Sequence, residues 1–442
     1  MNSSFYNGVS GMKSQQYGID LLSDNIANVN TAGYKSSSVE FSTIFSQQLN
    51  GSLFDPTGND LGMGAVAKGT RTDFSNGSVI NSDNKYDMVI EGSGWFGVKD
   101  SNNDIAYTRA GQFSRDADGF LVNAAGNYVM GTSANNVQGD SIIQDPSTTI
   151  TLSDVSSQQP IQIPDTLTIP SVASTYINFK GPLDPKKIEE VSPTGEMVEV
   201  ANVEVYRSDV YDSQGNINKL DITFTKEVPQ ASTTTKWFAE AVLNDENGNI
   251  LSTETGELTF NARGALTGST ITSIIDNNGD SLTLGFGTFY DQNVPNSGYD
   301  GLVSLAGIDS SRDIEKDGNP AGTLQDYGID ALGNIQATFS NGKTIPISKV
   351  AIYHFRNEDG LEKLGSSTFK ESANSGEAKF FKDQDGNTLE ISNIRNNKVE
   401  ISNLDITTAL TDLIVMQKAF DASSKSITTS DQMIQNAINM KR

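Results

Sequence analysis

His354 is the only histidine in this 442-residue chain, and there is no cysteine. It sits in the strand-like run Ala351-Ile352-Tyr353-His354-Phe355. The absence of cysteine excludes disulfides, thiolate metal sites and a Cys/His nucleophile. A Ser/His/Asp triad would have to use His354, and no Gly-x-Ser-x-Gly elbow accompanies it. A single histidine cannot build a histidine-rich zinc site. The residue is therefore read as structural.

Acidic loops are the next place to look for chemistry. Asp116–Gly119, Asp245–Gly248 and Asp383–Gly386 invite a calcium reading. An EF-hand loop needs oxygen ligands at positions 1, 3, 5 and 12 and glycine at 6. With Gly248 at position 6, Leu243 falls at 1; with Gly386, Phe381 falls at 1 and Ser392 at 12; with Gly119, Ala125 falls at 12. All three fail and are read as hairpin turns. Carboxylates are numerous enough for a glycosidase pair to arise by chance, but nothing singles out two of them. Gly92-Ser93-Gly94 lacks the spacing of a dinucleotide or phosphate loop. No catalytic residue, cofactor or metal site is expected, and the chain is read as non-enzymatic. A secreted β-rich enzyme or adhesin is the remote alternative.

Charge says more. The formal net charge is −24, yet residues 1–35 balance Lys13 and Lys35 against Asp20 and Asp24. Residues 400–442 carry five acids against four bases. The acid excess lies in the middle, where it would repel nucleic-acid phosphates, so nucleic acid is excluded as a partner. Near-neutral ends can pack side by side in many copies without accumulating repulsion. No run approaches the ~18 apolar residues of a membrane span. The start has neither a basic n-region nor a continuous apolar h-region, so any export is expected to use a route without a cleavable signal.

Those ends carry the strongest periodicity. Phe5, Met12, Ile19 and Ile26 recur at seven-residue intervals, as do Ile406, Leu413, Phe420, Ile427 and Ile434. Val9, Leu22 and Val29 in front, and Leu410, Ile414, Met433 and Ile438 behind, broaden the stripe. Such a repeat belongs to helices that bury one narrow seam against another helix. Gly8, Gly11 and Gly18 each cost about 1 kcal/mol in a helix, which predicts a segment that orders only when packed. The terminal stripe is the expected assembly interface.

Between the ends the period changes to two. Runs such as Trp95-Phe96-Gly97-Val98 and Phe120-Leu121-Val122, separated by Asp-Gly and Gly-Asn turns, predict antiparallel hairpins. The expected organisation is mainly β with α-helical termini, an elongated nested multidomain subunit. Residues 1–34 and 405–442 form a helical coiled-coil domain. Residues 35–75 and 365–404 are linkers, 76–145 and 291–364 one β domain, and 146–290 an inserted outer β domain.

Three stretches resemble the flagellar rod–hook–hook-associated family. Asn25-Ile26-Ala27-Asn28-Val29-Asn30-Thr31-Ala32-Gly33-Tyr34-Lys35 resembles its N-terminal signature, with Asn25, Asn28, Asn30, Thr31, Gly33 and Tyr34 as signature positions. Asp87–Phe96 with Tyr107–Phe113 resembles its first β domain, and Leu413–Phe420 through Ile427–Ile434 its C-terminal helix. Lys418, Met416 and Asp421 depart from the usual residues but leave the apolar stripe intact. Ser340-Asn341-Gly342 after Gly333-Asn334-Ile335, and the inserted domain, favour a hook-type over a distal-rod or hook-associated member.

The resemblance implies a structural subunit without enzymatic activity or cofactor. It also implies self-assembly into a curved tube acting as a universal joint between rod and filament in motility. Implied partners are further copies of itself, rod and hook–filament junction proteins, the hook cap and the flagellar type III export apparatus. The implied location is the hook and basal body of the flagellum, an extracellular appendage.

Overall fold

The computed structural model describes residues 2–44, 47–48, 60–143, 150–193, 195–229, 234–276, 278–307, 311–382, 388–389 and 391–440. The expected loop at Asp383–Gly386 lies outside the described residues. The chain is mostly β, with one long helix at each end: α1 (Asn2–Ala27) and α2 (Ile406–Met440). Asp405 caps α2, its Oδ1 accepting from the Thr408 N–H at 2.9 Å.

The inner β unit is built on the hairpin Trp95–Lys99 and Ile105–Thr108, with Phe96 opposite Thr108 and Val98 opposite Ala106. From Trp95–Lys99 the sheet runs through Tyr128–Ser133, Thr344–Val350 and Asn334–Phe339 to Gly322–Ile329. Because strand side chains alternate, Phe96 and Val98 enter one core with Phe113, Leu121, Ile335 and Phe339. Trp95 enters another, an aromatic cluster with Tyr107, Tyr353, Phe355 and Phe369. Trp95 and Phe369 meet edge to face at 5.0 Å, a geometry set by the ring quadrupoles. The Asp116 turn closes its own hairpin: its Oδ1 accepts from Asp118 N–H and Phe120 N–H. The Asp245 carboxylate likewise accepts from the backbone and side chain of Asn249.

The outer unit has a second core. Strands Val203–Tyr211, Ile217–Lys226, Thr234–Asn244, Ile250–Asn261 and Leu266–Ser269 form a five-stranded antiparallel meander. It shares Phe179, Phe224, Trp237, Leu258 and Leu302 with the five-stranded sheet around Tyr176–Leu183. The two units join where Val172 and Asn319 exchange backbone hydrogen bonds of 2.9 and 3.1 Å.

That crossing shifts the expected boundaries. Ile161, Ile163, Leu167 and Ile169, assigned above to the inserted domain, are buried in the inner core. Leu302 and Ile314, assigned to the inner domain, pack in the outer one. Polar texture near Gly131–Pro170 marked a loop-rich path rather than a domain edge.

Residues 365–404 are also more than a linker. Thr368–Lys370 pairs with Ile105–Thr108, Asn393–Asn396 with Met88–Glu91, and Lys398–Glu400 with Val79–Asn81. Each of these short strands buries a single apolar residue, Phe369, Ile394 or Val399, so their sequence reads as polar. In the first connector, Ser37–Thr43 and Ala65–Thr72 form a two-stranded ribbon.

Candidate assembly interface

α1 and α2 pack antiparallel, and glycine sets how closely. A Cβ on Gly8 would stand 2.8 Å from Ile427 Cγ1, and one on Gly18 would stand 2.7 Å from Met416 Sδ. Gly8, Gly11 and Gly18 therefore mark the face of α1 that meets α2, with Phe5, Met12 and Ile19 beside it. Val9, Met12, Ile19, Leu22, Ile26 and Val29 are half-buried, as are Leu413, Phe420, Ile427 and Ile434. Phe5, Ile406, Leu410 and Ile438 remain exposed. Ten of the expected stripe residues are thus half-buried, and Ile414 and Met433 are exposed with the other four.

Another face of α1 holds the ribbon through small polar residues, beside the larger Tyr6, Val9 and Tyr17. Ser14 Oγ donates to Ala65 O at 2.8 Å, and Asn7 Nδ2 to Gly62 O at 3.0 Å. Asn25 is buried and engages both backbone groups of Ser37: Nδ2 donates to its carbonyl at 2.7 Å, and Oδ1 accepts from its N–H at 3.0 Å. Tyr34 Oη stands 3.0 Å from the same Oδ1 and 3.0 Å from Asp24 Oδ2, its one proton shared between the two acceptors. Burial, then the neighbouring Asp24, raises the Tyr34 hydroxyl pKa above its ordinary value.

The remaining signature residues end the helix. Asn28 Nδ2 donates to Asp24 O, and Thr31 Oγ1 to Asn28 Oδ1. Asn30 is exposed. Gly33 has φ of +63° and donates its N–H to Glu400 O at 2.8 Å. A Cβ at Gly33 would fall 2.2 Å from Ala110 N, so both the left-handed backbone and the close approach demand glycine.

Beyond the turn lies a buried charge cluster that sequence reasoning missed. Lys35 Nζ donates to Glu400 Oε1 at 2.7 Å and to Ser75 O at 2.6 Å, with both side chains of the ion pair out of solvent. Glu400 Oε1 also accepts from Gly77 N–H, and Arg109 Nη1 stands 3.7 Å from Oε2. Burial lowers the pKa of Lys35, and the Glu400 carboxylate pulls it back up. Burial likewise lowers that of Arg109. The cluster ties the end of α1, the inner β unit and the strand leading to α2 into one joint. Lys35 closes the signature, which was a signal; nothing in the sequence marked Glu400 as its partner.

His354 is buried against the Phe381 ring at 4.6 Å. Burial first, then Arg109 and Lys379, push its pKa down to about 4, so it is neutral near pH 7. Among the described residues no helix is long and apolar enough to cross a membrane.

Comparisons with known proteins match three segments of the chain and its length as a whole. A family model described as the flagellar hook protein FlgE/F/G D1 domain matches residues 89–181. A flagellar basal body rod FlgEFG protein C-terminal model matches 395–440, and a flagella basal body rod protein model matches 5–35. The chain is 29% identical to the flagellar hook protein FlgE of Borreliella burgdorferi, over all of both chains. It is 26% identical to that of Escherichia coli K12, over 99% of this chain and all of the other. In fold it is similar to the crystal structure of Helicobacter pylori flagellar hook protein FlgE2, with a TM-score of 0.52 and 18% identity, covering 72% of this chain and 99% of that one. Signature turn, the hairpin of the inner β unit and terminal helix each fall within a segment that matches a flagellar rod or hook family model, and over its whole length the chain is similar to flagellar hook proteins.

Proposed function

We propose that this chain is the structural subunit of the bacterial flagellar hook, polymerising into a curved, flexible tube that carries torque from rod to filament. The observation that carries this reading is its end-to-end likeness to hook proteins, with no large segment left over on either side. The helix pair supplies a seam: near-neutral, apolar on two sides, and anchored to the β units through the Lys35–Glu400 joint. The terminal stripe acts there as the assembly interface, and the outer β unit, with its separate core, faces solvent. Further copies of the chain are the main partner. Rod, junction and cap proteins are its neighbours, and the type III apparatus exports it. It has no catalytic task.

Electron microscopy of the purified, full-length chain tests this directly. Curved tubes are expected, with loss of both tubes and motility on deleting residues 1–30. Failure to polymerise, with motility untouched by the deletion, would sink the reading. Straight tubes would favour a distal-rod role, which both rod-type terminal matches also suit.

A further inference from the structure

Among the described residues, nothing covers an apolar groove and an apolar ridge of the helix pair. The groove, about 640 Å³, lies between α1 and the ribbon and is lined by Tyr6, Val9, Tyr17, Ile44, Met63 and Val66, with Lys13 and Lys68 at its rim. Both lysines are exposed, and neither pairs with a carboxylate among the described residues. The ridge is on α2: Ile406, Leu410 and Ile414 follow one another at i, i+4 spacing and are 48%, 45% and 57% exposed. Residues 405–417 hold Asp405 and Asp412 and no base, whereas the groove's two charges are both positive.

The two features cannot meet within one chain. Gly8 packs on Ile427 and Gly18 on Met416, so antiparallel register sets Leu410 level with Asp24. The groove is centred near Met12. At 1.5 Å per residue the offset along the helix axis is about 20 Å.

Resting on the polymer reading above, we propose that the groove receives the Ile406–Ile414 ridge of a second copy of this chain. Ridge and groove are different patches of one subunit, so the contact is head-to-tail, and an axial displacement at every step makes the series an open helix rather than a ring. Each copy is displaced about 20 Å along the helix axis from the one it grips. Apolar burial supplies the attraction, and opposite charges select the direction.

The cysteine-free chain makes the test clean. In assembled full-length polymer, the double variant Val66→Cys/Leu410→Cys is expected to oxidise to a ladder of dimers, trimers and higher multimers. Each single variant should stay monomeric on the denaturing gel. Dimers from Leu410→Cys alone, or polymers of the double variant with no ladder, overturn the proposal. Should the double variant not assemble, benzoylphenylalanine in place of Tyr17 in polymers mixed from light and heavy chains gives an independent readout. Its light–heavy adduct is expected within residues 405–417, and an adduct elsewhere overturns the docking. Polymers with misplaced adducts sink this inference alone, whereas a wild-type chain that never polymerises sinks the reading beneath it.

Discussion

Lys35 and Glu400 are 365 positions apart and form an ion pair of 2.7 Å with neither side chain reaching solvent. Arg109 lies on the other side of the carboxylate, so two cations share one anion. Removing one partner of a buried pair costs about 3–5 kcal/mol because the remaining charge loses its compensation. Glu400→Leu strands both cations, whereas Lys35→Met leaves Glu400 with Arg109. Urea unfolding is expected to rank Glu400→Leu as the more damaging; equal or reversed losses would show that Arg109 does not draw on Glu400.

His354 gives the chain an acid-sensitive element. Its folded pKa, pushed down to about 4 by burial, lies below the ordinary 6.5. The unfolded chain therefore binds the proton first as pH drops. The contribution is complete above pH 6.5 and is lost as pH falls towards 4. The gap between the two values corresponds to about 3 kcal/mol. His354→Phe, which keeps a ring against Phe381, is expected to flatten the stability curve between pH 6.5 and 4 relative to the parent. Parallel curves for the two proteins would remove His354 from the account.

Two glycines with positive φ separate backbone strain from crowding. Gly126 has φ of +81° with nothing within 4 Å of a new Cβ, so Gly126→Ala carries only left-handed strain, about 1 kcal/mol. Gly33→Ala adds collision with the backbone of Arg109 and Ala110, which cannot rotate away, and is expected to cost about 2–4 kcal/mol. Chemical denaturation of the two variants checks the ordering.

Much of this architecture was readable because its signals are local. Asp-Gly turns such as Asp118-Gly119 mark hairpins through backbone preference, and the seven-residue stripe marks a helix seam wherever it occurs. What the sequence hid depends on distant partners. Phe369, Ile394 and Val399 each sit alone among polar residues, and only their pairing with strands near positions 80–108 makes them core. Leu302 and Ile161 lay near composition shifts that looked like boundaries, while the real crossing is two hydrogen bonds between Val172 and Asn319. In the stripe, periodicity identified apolar positions but could not separate Ile427, which meets Gly8, from Leu410, which faces outward.

Ile427→Asp and Leu413→Asp probe the seam itself. Each places a carboxylate without a partner on the half-buried face of α2, at a cost of several kcal/mol repeated in every subunit. Assembly is expected to be lost in sedimentation while the β-sheet circular dichroism stays that of the parent. Collapse of that spectrum would mean the helices belong to the inner core rather than to a separate layer.

Independence of the two β units follows from the same crossing. Val172 and Asn319 face each other as an antiparallel bridge, so their Cα atoms are about 5 Å apart. Every residue of the outer core named above lies between them in sequence, and none of the inner core does. Replacing residues 173–318 by two glycines spans that gap without displacing either strand end. The shortened chain is expected to keep the inner sheet, with Trp95 still buried, and to unfold in one transition instead of two. Exposure of Trp95 by fluorescence would show that the outer unit braces the inner one, and the nested division into separate domains would then have to be abandoned.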